Sequence, residues 1–151
     1  MGTTPNVSTS TKVPEIELIE GARRSLSRAA IAVTPHERYA AAHLAALRAA
    51  AAVIAVVVAR SSRSSMNGFP RGRVRSAWVV LREVCPPLAE WADFFAAGAS
   101  TRAAAEAGIP CVSGRAADDL VRDVEIFVAR VCDVLELSYQ PALESRLRAV
   151  G

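Results

Sequence analysis

The sequence predicts an all-α fold, a single-domain bundle of about five helices, and three observations carry that expectation. The 151 residues are 52% hydrophobic but only 5% aromatic. Much of the apolar share is alanine, which favours helix and lets helices pack closely. Apolar residues recur at helical spacing in several long segments. Prolines, glycines and capping residues fall between those segments, and no stretch needs the alternating pattern of a strand.

Residues 1–13, opening "MGTTPNVSTSTK", carry no hydrophobic periodicity and read as a disordered tail. Pro14 suits a first helical turn. Ile16, Leu18, Ile19, Ala22, Leu26, Ala29 and Ala30 carry the apolar spacing onward to about residue 32. The next start is "TPHE", with Thr34 at the N-cap, Pro35 at N1 and Glu37 at N3, a capping box. The helix it opens meets no proline or glycine and runs to about Arg60. Residues 61–75 then read as a flexible basic loop, holding Arg63, Arg71, Arg73 and Arg75 without an acidic residue.

Ser76 can cap "AWVVLREV", which must stop before Pro86 and Pro87. Those prolines open a fourth helix carrying Leu88, Trp91, Phe94 and Phe95, expected to continue to Gly108. Ser113 can cap a last long helix, expected over residues 114–137. Leu120, Val124, Phe127, Val128, Val131 and Leu135 form its apolar stripe. Its other face carries Asp118, Asp119, Asp123, Glu125, Asp133 and Glu136 and reads as a solvated surface. The helical domain thus spans 14–137, and residues 138–151 form a C-terminal tail.

The bulk chemistry excludes more than it selects. A net charge of +3 is compatible with a nucleic-acid partner without demanding one. Lys12 is the sole lysine, and an arginine bias beside so much alanine reflects a GC-rich genome. Cys85, Cys111 and Cys132 are odd in number with no CxxC spacing, as expected of reduced, mostly buried thiols in a cytoplasmic protein. No glycine-rich phosphate loop, GxSxG or HExxH is present, so neither a metal nor a cofactor is expected. No secretory signal is visible. The longest uncharged apolar run, Ala49–Ala59, is about half the roughly 20 residues that a bilayer requires. A soluble chain with no membrane partner is expected.

His36 and His43 are the only imidazoles. His36 falls at N2, beside the positive end of a helix, where protonation is disfavoured. A helical wheel sets His43 within the apolar stripe of Tyr39, Leu47, Ile54 and Val57 and puts Arg38 about 140° away. Read within one chain, His43 is a core histidine bonded to a backbone carbonyl or to Glu90 or Asp93. Arg38 is then a solvated helix-surface arginine, open to pairing with a nearby carboxylate. Arg63, Arg71, Arg73 and Arg75 either keep a connector soluble or track phosphates. Trp78 and Trp91 lie within apolar helical spacing and read as core anchors, not base-stacking platforms.

The helix "ERYAAAHLAALRAAAAVI", with "RSAWVVL", "LAEWADFFAAGASTRAAAEAGI" and "SGRAADDLVRDVEIFVARV", resembles the HEPN superfamily over roughly residues 15–137. The likeness is to a branch of short, alanine- and arginine-rich actinobacterial proteins. This resemblance implies a helical bundle that is often a homodimer. It also implies the R-x4-6-H motif of metal-independent endoribonucleases, whose positions Arg38 and His43 occupy. The histidine would act as general acid or base at the RNA 2′-hydroxyl, the arginine would stabilise phosphate charge, and two copies would meet across the dimer. Two features depart from that pattern: Tyr39 follows the arginine where active members often carry a polar residue, and the motif sits early, in the second helix. The expectation is therefore a HEPN-domain module that binds nucleic acid or an unidentified protein without catalysis. The alternative is an endoribonuclease using Arg38 and His43 across a homodimer. A protein partner would dock on the aromatic fourth helix.

Overall fold

A computed structural model describes residues 13–64 and 75–135. The tail expected at the N-terminus, the loop positions Arg71 and Arg73, and the C-terminal tail lie outside the described residues. The elements in chain order are α1 (Pro14–Ile31), α2 (Pro35–Ser64), α3 (Ala77–Val84), a 3-10 turn (Pro86–Leu88), α4 (Ala89–Ala97), α5 (Ala99–Glu106) and α6 (Gly114–Val134). Among the described residues the fold is all helix.

The helix starts follow the capping chemistry of the sequence. Thr34 Oγ1 accepts the Glu37 backbone N–H at 3.3 Å, Ser76 Oγ accepts from Trp78 at 3.3 Å, and Ser113 Oγ accepts from Ala116 at 3.1 Å. Each satisfies a backbone donor that the first helical turn leaves unpaired. Gly108 adopts φ +83° just after α5, and the Gly108 and Ile109 N–H groups close back on Ala105 and Ala104. That left-handed turn is the helix stop the glycine predicts.

The expected fourth helix is corrected at two points. Its proline start is a 3-10 turn, and the helix breaks at Gly98 into α4 and α5. Gly98 lies against Tyr39 Oη, where an added Cβ would stand 3.0 Å away. The chain therefore bends at a residue whose missing side chain admits α2. The last helix also ends earlier than expected, at Val134.

α2 is the central element, packed against α1, α3, α5 and α6. Its buried positions are Ala42, Ala45, Ala46, Ala49, Ala50, Ala52 and Val53, with His43 among them. Small side chains let neighbouring backbones come close, so core volume is supplied from elsewhere. Trp78, Leu81, Leu88, Phe95, Leu120, Val124, Phe127 and Val131 fill it. By length and composition α2 is also apolar enough, from Pro35 to Ser62, to cross a membrane. Alanine widens that apolar stretch well beyond the Ala49–Ala59 run, and here Ala42, Ala45, Ala46, Ala49, Ala50 and Ala52 are buried against other helices.

The aromatic core has a defined order. Trp78 stacks on Phe95 at a centroid separation of 4.9 Å, and Phe95 tilts against Phe127 at 5.0 Å. Such pairs add roughly 0.5–1.5 kcal/mol beyond the area they bury. Trp78 is buried and Trp91 packs partly buried against the same cluster. Cys85 and Cys132 are buried free thiols, as expected for most of the three, and Cys111 is exposed.

Candidate functional site

The two motif residues leave α2 in different directions. Arg38, in the first turns of α2, reaches sideways to α6 and back to the α1–α2 turn. Its Nη1 donates to Asp118 Oδ1 at 2.6 Å, and its Nη2 donates to the Ala32 carbonyl at 3.2 Å. The guanidinium thus ties together the three elements that meet at this end of the bundle. Asp118 is 59% exposed and Arg38 24%, so the ion pair is a half-solvated tie of modest strength.

His43, little more than one turn further, points into the core and is 1% exposed. Its Nε2 lies 3.3 Å from the Phe95 carbonyl oxygen. A carbonyl can only accept, so that nitrogen carries the proton and donates. The ring meets Trp78 and Phe95 edge to face, at interplanar angles of 82° and 78°. Nδ1 is buried with no hydrogen-bond partner among the described residues. Burial pushes the imidazole pKa down; the Phe95 carbonyl opposes this and the Arg102 charge adds to it. The result is a neutral core histidine, bonded to a backbone carbonyl and to neither Glu90 nor Asp93.

Tyr39 and Gly98 cover His43 on one side. The Tyr39 and His43 rings are 6.3 Å apart, and a Cβ on Gly98 would stand 3.7 Å from His43 Nε2. Burial raises the Tyr39 phenol pKa, the nearby Cys111 adds to that, and a hydrogen bond with Thr101 opposes it. Sequence reasoning missed this lid. Its signal was Gly98 itself, an isolated glycine in a helical pattern.

The other candidate residues are dispersed. Arg63 belongs to the last turn of α2, while Arg71 and Arg73 lie outside the described residues. Arg75 is engaged by Glu83 through both terminal guanidinium nitrogens. His36 Nε2 is 3.4 Å from Thr34 Oγ1, within the helix cap. Asp118, read in the sequence as part of a solvated face, is the carboxylate that holds Arg38.

The surface grooves formed by described residues include one at α1 and α2 and one at α3 and α4. One, of about 330 Å³, lies between the start of α1 and the end of α2, along Pro14, Ala55 and Ala59. The other, of about 290 Å³, lies between α3 and α4, with Trp78 and Ala92 in its lining and the Arg82–Asp93 ion pair across it. Neither is lined by Arg38 or His43. Among the described residues no group of three His, Cys, Asp or Glu side chains could hold a metal ion.

No curated protein and no solved structure matches the chain. A family model does: that of the SAV_6107-like HEPN domain, over residues 29–132. The match runs from the end of α1 through α6 and takes in Arg38, His43 and the aromatic core, so the chain belongs to the SAV_6107-like HEPN family.

Proposed function

We propose that this HEPN domain is a non-catalytic interaction module whose partner is nucleic acid. The observation that supports it best is the setting of His43. A general acid or base must bring a nitrogen within hydrogen-bond reach of the proton it moves. Here Nε2 is committed to the Phe95 carbonyl, and the ring is enclosed by Tyr39, Trp78 and Phe95. Arg38, the residue expected to stabilise phosphate charge, is held by Asp118 and Ala32. A homodimer could add a second copy of the pair, but it would have to displace these contacts to join them.

Charge favours nucleic acid. The chain carries +3, and Arg60, Arg63, Arg71, Arg73 and Arg75 fall within one stretch that has no acidic residue. Arginines in such a stretch are suited to phosphate contact, although Arg75 would have to leave Glu83 to make one. The rival is a protein partner seated on α4, where Phe94 is 46% exposed.

The decisive experiment is cleavage of single-stranded RNA in chelator by the wild type, His43→Ala and Arg38→Ala. The expected result is no cleavage above background by any of the three. Metal-independent cleavage by the wild type that disappears in a folded Arg38→Ala protein would overturn the non-catalytic reading and favour the endoribonuclease. Absence of RNA and DNA binding, with retained self-association or protein capture through α4, would favour the rival partner.

A further inference from the structure

Arg48 crosses from α2 onto α1 in the middle of the bundle's longest seam. Its Nη1 donates to the Gly21 carbonyl at 3.0 Å and to Ser25 Oγ at 2.7 Å. Ser25 is fully buried, so the guanidinium is fixed from beneath by neutral acceptors. Those two bonds use the Nη1 hydrogens and leave the Nε and Nη2 donors open. Arg24, exposed on α1, comes to the same place: a Cβ at Gly21 would meet Arg48 Cδ at 3.3 Å, Arg24 Nη2 at 3.5 Å and Arg48 Nε at 3.7 Å. Two guanidinium groups therefore converge over a glycine. Among the described residues, neither is within ion-pair distance of a carboxylate.

Like charges gathered on a partly buried seam repel, and leaving water weakens the screening between them. A structural arginine at a helix crossing usually finds a carboxylate, as Arg38 does here with Asp118. Gly21 lies in the interior of α1, where glycine weakens a helix. At this position the missing side chain leaves room for the Arg48 stem, whose Cδ would stand 3.3 Å from a Cβ there. Arg28, one turn beyond Arg24 and exposed, extends the cationic track along α1.

From this geometry we infer that Arg48 and Arg24, over Gly21, form an oxyanion site for a phosphate group. Arg48 supplies, through its Nε and Nη2 edge, a planar fork suited to two phosphate oxygens, and the exposed Arg24 adds a second guanidinium beside it. The phosphate is a backbone phosphodiester of a nucleic acid strand or a free phosphate; the first source rests on the nucleic-acid reading above. The site does not draw on Arg38 or His43, which are engaged by Asp118, Ala32 and Phe95.

The test uses the full chain. Fluorescence anisotropy with a labelled single-stranded RNA is measured for the wild type, Arg24→Gln, Arg48→Gln and Arg48→Lys. Arg115→Gln serves as control, because Arg115 sits on α6 about one turn before the Asp118 that pairs with Arg38, and Arg38 is about 15 Å along α2 from Arg48. Thermal melting in inorganic phosphate against chloride, at matched ionic strength, runs in parallel.

Arg24→Gln and Arg48→Gln are each expected to weaken RNA binding about five- to tenfold and to reduce the salt slope by about 0.7 for a lost contact. Arg48→Lys, which keeps charge but not the fork, falls between, and Arg115→Gln matches the wild type. Phosphate is expected to raise the wild-type melting temperature and to do so less for both glutamine variants. If Arg48→Gln fails to fold, the exposed Arg24 variant decides alone. RNA binding and salt slope unchanged in Arg24→Gln and Arg48→Gln would overturn the site while the nucleic-acid reading stands. Phosphate stabilisation that both variants lose, without RNA binding by the wild type, keeps the site and overturns nucleic acid as its ligand. No response to either probe overturns the site.

Discussion

His43 Nε2 and the Phe95 carbonyl oxygen lie 3.3 Å apart in the core, joining the middle helix to the C-terminal end of α4. The carbonyl belongs to the last turn of α4 and also accepts the Gly98 N–H at 3.1 Å. One oxygen thus receives the helix-ending bond and the imidazole together. His43 acts there as a packing residue with a polar tip.

That role makes a stability prediction. His43→Ala removes the ring from between Trp78 and Phe95 and should cost about 2–4 kcal/mol, the range for large-to-small core changes. His43→Leu refills most of the volume and leaves the Phe95 carbonyl with its Gly98 partner, so it should cost less. Urea unfolding of the three proteins checks the order. Equal stability of His43→Ala and wild type would mean that the ring does not hold the core.

A second prediction concerns pH. Burial lowers the His43 pKa below its ordinary 6.5, so the folded state binds fewer protons than the unfolded chain. Stability contributed by this group is then complete above about pH 6.5 and falls as pH drops toward the depressed folded value. Unfolding free energy measured between pH 7.5 and 5 should decline in the wild type. In His43→Leu the decline should be shallower over the same window. Identical slopes in the two proteins would remove His43 as the cause.

Arg38 should behave as a modest tie. Arg38→Ala and Asp118→Ala should each destabilise by about 0.5–1.5 kcal/mol, with a coupling energy below about 1 kcal/mol in the double-mutant cycle, because the pair is partly solvated. Raising salt should weaken the coupling further. A coupling of several kcal/mol would mark the pair as a buried strut instead.

How much of this was legible depended on whether the cause was local. Thr34, Ser76, Ser113 and Gly108 set helix ends through bonds within a few residues, and each could be read from neighbouring letters. The burial of His43 was legible too, since a wheel needs one helix alone. What escaped was long-range. Asp118 is 80 residues from Arg38, and nothing in an acidic helix face says which carboxylate will be chosen. The Gly98 break depends on Tyr39 arriving from α2. Arg48 carries no local mark in an arginine-biased chain, because its partners Gly21 and Ser25 lie 27 and 23 residues away on α1.

Gly98 offers the sharpest check on that long-range packing. Its φ of −87° is open to any residue, so Gly98→Ala introduces no backbone strain and should even restrict the unfolded chain. On local grounds alone the variant would be neutral or stabilising. The structure says otherwise: the new Cβ would stand 3.0 Å from Tyr39 Oη, tighter than ordinary van der Waals contact. Forcing Tyr39 off His43 should cost about 1–3 kcal/mol, as overpacking usually does. Tyr39→Phe removes the oxygen that collides and should recover much of that loss in the double variant. A Gly98→Ala protein as stable as wild type would show that Tyr39 moves aside freely and that His43 is less enclosed than its burial implies.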